Sequence, residues 1–174
     1  DVDNNDNGGV GTELNVDGAA TIAGNNVDLD GGLVVTGSVT VTALQGIGIG
    51  LGTALQGNVT AGGDIILTAD FDLDGDGGVE MNSADLISNT GDITIIGQGV
   101  VVDDVDALAA GRTITIDGLD LGIDAQNSTD DVVDLFADNL DLDAAGPINV
   151  ETDASDINAA TDGVAGSIIV NNVG

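Results

Sequence analysis

Apolar and polar residues alternate with a period of two in short runs along the whole chain. The runs are ELNV (13–16), NVDLD (26–30), SVTVT (38–42), DIILT (64–68), DITII (92–96), TITID (113–117), LDLD (140–143) and SIIVN (167–171). Successive side chains of a strand point to opposite faces, so β-branched residues alternating with Thr, Asp or Asn predict strands buried on one face and wet on the other. Gly and Asn bound the runs and supply the turns. Two segments carry a competing helical pattern. NSTDDVVDLFADN, from Asn127, offers Ser128 or Thr129 as an N-cap, acids in a first turn, and Val132 four residues before Phe136. DDVDALAAG ends on Gly111 as a stop signal. Each also reads as one or two helical turns in a loop.

The spacing of the runs carries a second level of order. A Gly precedes a strand at Gly37, Gly57, Gly91, Gly111, Gly146 and Gly166, in three pairs of equal internal spacing, with successive pairs offset by 54 and then 55. VEMNSAD from Val79 resembles VDLFAD from Val133 within this frame. An interval near 54 divides into about three coils of roughly 18–20 residues, the size of a solenoid turn built from short strands and tight bends. The expected architecture is all-β: a right-handed parallel β-helix spanning 1–174 as one segment, with a super-repeat at 37–90, 91–145 and a partial 146–174. About nine turns stacked at ~4.8 Å make a rod of about 40 Å. Its open strand edges would pair onward with flanking repeats of the same chain or with a neighbour.

Composition supports a thin core. Of 174 residues 42% are apolar, yet Trp, Tyr and Cys are absent and Phe71 and Phe136 are the two aromatics. Layers of Val, Ile, Leu and Ala fill a narrow coil that large rings would overfill. The charge is extreme, with 31 acids against Arg112, a net −30. That balance excludes nucleic acid, whose phosphates need Lys and Arg, and argues against anionic membranes. It favours cations, calcium above all, whose hard oxygen ligands are what Asp, Asn and carbonyls supply. Without Cys or His there is no disulfide and no ordinary zinc site. No apolar run approaches the ~18 residues of a membrane span. The chain starts at Asp1 without Met or a signal peptide, which reads as a mature product or a piece of something longer.

AGGDIILTAD (61–70), NTGDITIIG (89–97) and AGRTITIDG (110–118) resemble the degenerate glycine-led repeats of filamentous haemagglutinin-like adhesins, the large exoproteins of bacterial two-partner secretion. The similarity covers about two-thirds of the chain in pattern. It implies a right-handed parallel β-helix, export to the cell surface, and adhesion or scaffolding. The shortage of basic residues departs from that family's typical members.

Candidate chemistry is acidic. DLDGDGG places Asp72, Asp74 and Asp76 at alternate positions before Gly77, the front half of an EF-hand-like loop. Its twelfth position, which should be a bidentate Glu, is Ser83, with Glu80 at the ninth as a substitute. The plain alternative is a solvated Asp-Gly turn. DVDNNDNGG gathers Asp1, Asp3, Asn5 and Asp6, either a second calcium site or a fraying acidic terminus. Outward acids at Asp28, Asp30, Asp117, Asp120, Asp141 and Asp143 would stack ~5 Å apart and repel by just under ~1 kcal/mol per pair in water. Either divalent ions bridge the turns, or interleaved Asn and Thr keep the acids apart. GGLVVTGSV and GGDIILTAD fail the GGxGxDxux pattern of calcium β-rolls.

Enzymatic readings find little support. The acid pairs Asp103–Asp104 and Asp130–Asp131 invite comparison with glycosidases, but strand neighbours face opposite ways and no Tyr or Trp offers a sugar platform. A polysaccharide lyase needs more than Arg112, which is more simply a partner for nearby acids. Ser-His and Cys-His nucleophile systems are excluded by composition. Ice binding is a minor alternative, because Thr40 with Thr42 and Thr113 with Thr115 form isolated pairs. The expectation is a non-enzymatic, secreted or surface-exposed solenoid, an adhesin stalk or fibre stabilised by calcium, with a cell-surface or matrix ligand. The alternative is a filament or surface-lattice subunit that self-associates end to end.

Overall fold

The computed structural model describes residues 2–3 (backbone only), 14–51, 57–72, 74–125, 133–162 and 166–173. Nineteen strands join in one sheet, and every pairing is parallel. The chain winds as a solenoid with three faces. The first turn holds β1 (Val2–Asp3), β2 (Leu14–Val16) and β3 (Ala20–Gly24), and the second β4 (Val27–Leu29), β5 (Leu33–Val35) and β6 (Val39–Ala43). The third holds β7 (Ile47–Ile49), β8 (Val59–Ala61) and β9 (Ile65–Thr68), and the fourth β10 (Val79–Met81), β11 (Asp85–Ser88) and β12 (Ile93–Gly97). The fifth holds β13 (Val100–Val102), β14 (Asp104–Ala107) and β15 (Thr113–Gly118). In the sixth, β16 (Ile123–Ala125) covers the first face and β17 (Leu135–Ala144) bends across the other two. β18 (Ile148–Thr161) forms the seventh turn on all three faces, and β19 (Ile168–Asn172) begins an eighth.

Register explains why short strands suffice. On the third face Val39, Ile65, Ile93, Ile114 and Leu140 stack in one inward row, and Val41, Leu67, Ile95, Ile116 and Leu142 in the next. On the second face Leu33, Val59, Leu86, Val105 and Leu135 do the same. All are buried. The period-two runs therefore place one apolar row after another along the axis, each shielded above and below by its equivalents. No helix occurs among the described residues, so none is long and apolar enough to cross a membrane. The helical alternative for DDVDALAAG is overturned: Asp104–Ala107 is β14, with Val105 and Ala107 inward. Of NSTDDVVDLFADN, residues 127–132 lie outside the described residues, and Leu135 onward is strand.

The turns are less even than the glycine spacing suggests. Some have the expected length, such as those from Leu14 to Leu33 and from Leu86 to Val105. Others depart from it: the shortest step between equivalent positions runs from Leu140 to Ile157, and the longest, nearly twice as long, from Ile47 to Val79. The paired segments on each face keep their register while the chain between them varies in length, because extra residues at a corner do not disturb the rows. The glycines spaced at 54 and 55 occupy unlike places. Gly37 and Gly91 precede third-face strands two turns apart, whereas Gly146 precedes β18 on the first face. The unit of stacking is the turn.

The outward rows show how a chain of charge −30 tolerates stacking. On the third face Thr40, Ile66, Thr94, Thr115, Asp141 and Asn158 follow one another, so Asp141 meets Thr and Asn rather than acid. Asn side-chain amides then donate to carboxylates one turn away: Asn158 to Asp141 at 2.8 Å, Asn149 to Asp124 at 3.1 Å and Asn58 to Asp85 at 2.7 Å. Acid meets acid on this face at Asp117 and Asp143, where burial first and the Asp143 charge next push the Asp117 carboxyl above its usual range. Interleaving and direct stacking thus both occur. Replacing Asn58 by Asp removes a donor and sets acid on acid, so N58D should lose about 1–3 kcal/mol at neutral pH in urea unfolding and regain part of it on acidification.

Candidate functional site

The loop after β9 contains the sequence-predicted acids. Asp70 enters the corner between the third and first faces, where the Asp70 amide donates to Gln45 O and the Phe71 amide to Ala43 O. Asp70 is buried and sits at φ +54°, a conformation Asp tolerates because its short side chain bonds locally. Its Oδ1 accepts the amides of Asp74 (3.0 Å) and Gly75 (3.4 Å), and its Oδ2 accepts the Gln98 side-chain amide from the next turn. The Gln98 bond is the main reason this carboxyl is held below its usual range, against the opposing effect of burial, with the Gly75 and Asp74 amides adding to it.

Carboxylate oxygens of Asp70, Asp72 and Asp74 lie within 4.8 Å of one another. The convergence is thus two residues earlier than the expected set. Asp76 instead gives its amide to Asp74 Oδ1 at 3.1 Å, and lines a 710 Å³ surface groove with Glu80 and Asp28. Glu80 faces outward on β10 between Gly48 and Val101. Counting from Asp70, the loop reads D-x-D-x-D-G, with Gly75 at the sixth position and φ +93°, where the EF-hand turn needs glycine. The twelfth position is Met81, fully buried, so no bidentate acid closes the loop. Three of the four lone-pair directions of Asp70 are already taken by protein donors. Asp72 and Asp74 are exposed. The Asp76 amide lowers the Asp74 carboxyl, but burial and the Asp72 and Asp70 charges outweigh it and raise it above the usual range. Of the terminal group, Asp1, Asn5 and Asp6 lie outside the described residues; Asp3 is in β1, in register with Asp28.

A second acidic array was not anticipated. At the corner between the first and second faces, Asn58, Asp85, Asp104, Asp134, Glu151 and Asn171 occupy equivalent positions in six successive turns. Asn58 donates to Asp85 at one end, and Asn171 to Glu151 Oε1 (3.0 Å) at the other. Within the array, burial first, then the charges of Asp106, Asp85 and Asp103, push Asp104 up to about 6. Asp106 is raised by burial and by Asp85. Asp104, Asp106, Leu108, Val133 and Phe136 border a surface depression of 360 Å³. Of the pairs weighed for glycoside chemistry, Asp103 is tied to the Ala84 amide at 2.8 Å, and Asp130 and Asp131 lie outside the described residues. Arg112 approaches Asp92 at 3.9 Å with both side chains about half exposed, an ion pair of small energetic consequence.

No family model, no curated protein and no solved structure matches the chain. The functional reading therefore rests on geometry. Asp70 was within reach of sequence reasoning, since the alternate acids run unbroken through 70, 72, 74 and 76. The corner array was not, because Asp134 and Glu151 lie a full turn apart in the sequence and only register brings them together.

Two measurements probe these groups. Gln98→Ala removes the side-chain donor to a buried carboxylate and should cost about 1–3 kcal/mol in chemical unfolding at neutral pH. Asp70 is lowered on folding, so its stabilisation is present above the unfolded value near 4 and is lost as pH falls through its folded value. Asp104 is raised, so its contribution is full below pH ~4 and is lost as pH rises through about 6. The Asp104 contribution should therefore decline from about pH 4 to about 6, and Asp104→Asn should flatten that decline and raise the melting temperature at pH 7.

Proposed function

We propose that this chain is a structural, non-catalytic β-solenoid segment that works outside the cell as an adhesin stalk or surface fibre of the filamentous haemagglutinin-like kind, braced by calcium. The observation that carries this reading is the in-register stack, whose apolar inward rows run along the axis and whose turns bond to the turns above and below. Such a coil holds surfaces at a fixed distance and lengthens by adding turns. The resemblance of the glycine-led runs to adhesin repeats supplies the surface location. Asp72 and Asp74 beside Asp70 supply the loop at which calcium would be held.

The second reading, a subunit that stacks end to end, is favoured by one feature. Ile157 and Ile168 belong to inward rows, in register with buried Leu140 and Ile148, yet are 37% and 46% exposed. Another parallel coil laid on that end would cover them.

Protease treatment of intact cells carrying the full gene tests the location. Release of fragments of this segment from whole cells is expected, whereas digestion only after lysis would overturn the surface role. Sedimentation velocity separates the two readings: a concentration-independent elongated monomer fits a stalk, and growth into polymers that Ile168→Asp abolishes fits the subunit. Loss of part of the calcium-dependent rise in melting temperature in Asp72→Asn/Asp74→Asn is expected if the loop holds an ion.

A further inference from the structure

We propose that Asp134 and Glu151 bind a divalent cation of the calcium class between the sixth and seventh turns, at the corner of the first and second faces. The site is distinct from the Asp70–Asp74 loop and does not depend on the stalk reading.

Glu151 is 3% exposed, and its two oxygens have different fates. Oε1 accepts the Asn171 side-chain amide at 3.0 Å from the turn above. Oε2 is buried and has no hydrogen-bond partner. A buried carboxylate oxygen without a donor is rare in folded proteins, because desolvation is then uncompensated, and an unseen ion is one of its recognised causes. The turn below presents a second buried acid, Asp134, at the equivalent position. The Asp134 and Glu151 backbones are locked together. The Asp134 amide donates to Glu151 O at 3.0 Å, and the Glu151 amide donates to Asp134 Oδ2 at 2.9 Å.

The rest of the array shows what is missing at this step. At both ends an Asn amide supplies the positive end of a dipole to the acid beside it, Asn58 to Asp85 and Asn171 to Glu151. Between Asp134 and Glu151 acid meets acid. The chain has no Lys or His, and its one Arg, Arg112, is engaged with Asp92, so the compensating charge comes from solution. Successive turns are ~4.8 Å apart, about twice the 2.3–2.6 Å reach of a calcium–oxygen bond, so one ion can bridge a carboxylate on each. Magnesium, at about 2.0–2.1 Å and reluctant to shed water, fits that span less well. All-oxygen donors disfavour zinc and copper.

The test uses the chain with Asp72→Asn/Asp74→Asn as parent, to silence the loop, and compares it with the same chain carrying Glu151→Gln. Calcium chloride is titrated calorimetrically at pH 7.5, and melting temperatures are read in calcium, magnesium and EDTA. The parent should bind calcium, melt higher in it, and respond less to magnesium. Glu151→Gln should weaken binding by about tenfold or more, since affinity follows ligand charge. It should also melt above the parent in EDTA, because the uncompensated oxygen is gone. Asp134→Asn gives the same readout if Glu151→Gln fails to fold. An undiminished calcium response in both variants would overturn the site. So would a parent indifferent to calcium in both calorimetry and melting temperature. A calcium response equal in the wild-type chain and the loop-silenced parent, and lost in Glu151→Gln, leaves this site standing and removes the loop from the calcium reading.

Discussion

In a parallel stack each side chain lies one strand spacing, ~4.8 Å, from its equivalent in the next turn, so whatever the sequence places at a position it places on top of itself. For apolar positions this is favourable without fine tuning. Ile93 on Ile114 and Ile95 on Ile116 bury each other's flanks, and a narrow interior of Val, Ile, Leu and Ala needs no aromatic ring. For acidic positions the same rule is a penalty, since like charges gather in columns while the net charge is −30. Much of the outer surface is a set of local answers to that penalty.

Three answers are visible. The first is dilution, as where Asp141 sits between Thr115 and Asn158. The second is an amide donated across a turn, at Asn149, Asn158, Asn58 and Asn171. The third is a lifted carboxyl pKa, where burial and neighbouring acids keep a proton within reach, as at Asp104. Between Asp134 and Glu151 acid stacks on acid, and Glu151 Oε2 is left buried without a hydrogen-bond partner although Asn171 serves Oε1. The need for a cation arises there from the stacking rule itself rather than from a calcium motif.

The strands were legible because period-two alternation is a local signal, and each run quoted from the sequence coincides with a strand or the edge of one. Parallel coiling was legible from the repetition of those runs and the lack of rings. What failed to show was length and registry. Corner loops vary in length, so evenly spaced glycines such as Gly37 and Gly146 fell on different faces. In the Asp-rich loop the carboxylates that converge are Asp70, Asp72 and Asp74, and Asp70 escapes notice in the sequence because it follows a strand run and reads as its flank. The corner array depended on pairings that span a whole turn of chain, such as Asp104 with Asp134, which no local pattern encodes.

The direction of the hydrogen bonds has a mechanical meaning. The chain runs across the axis while its inter-turn bonds run along it, so tension applied lengthwise meets each layer of bonds in series rather than many in parallel shear. A terminal turn can then peel while those beneath it keep their partners, and the rod would yield stepwise, one coil of slack at a time. The coils hold unequal lengths of chain, shortest from Leu140 to Ile157 and longest from Ile47 to Val79, so the slack released would differ from step to step and mark which turn had opened.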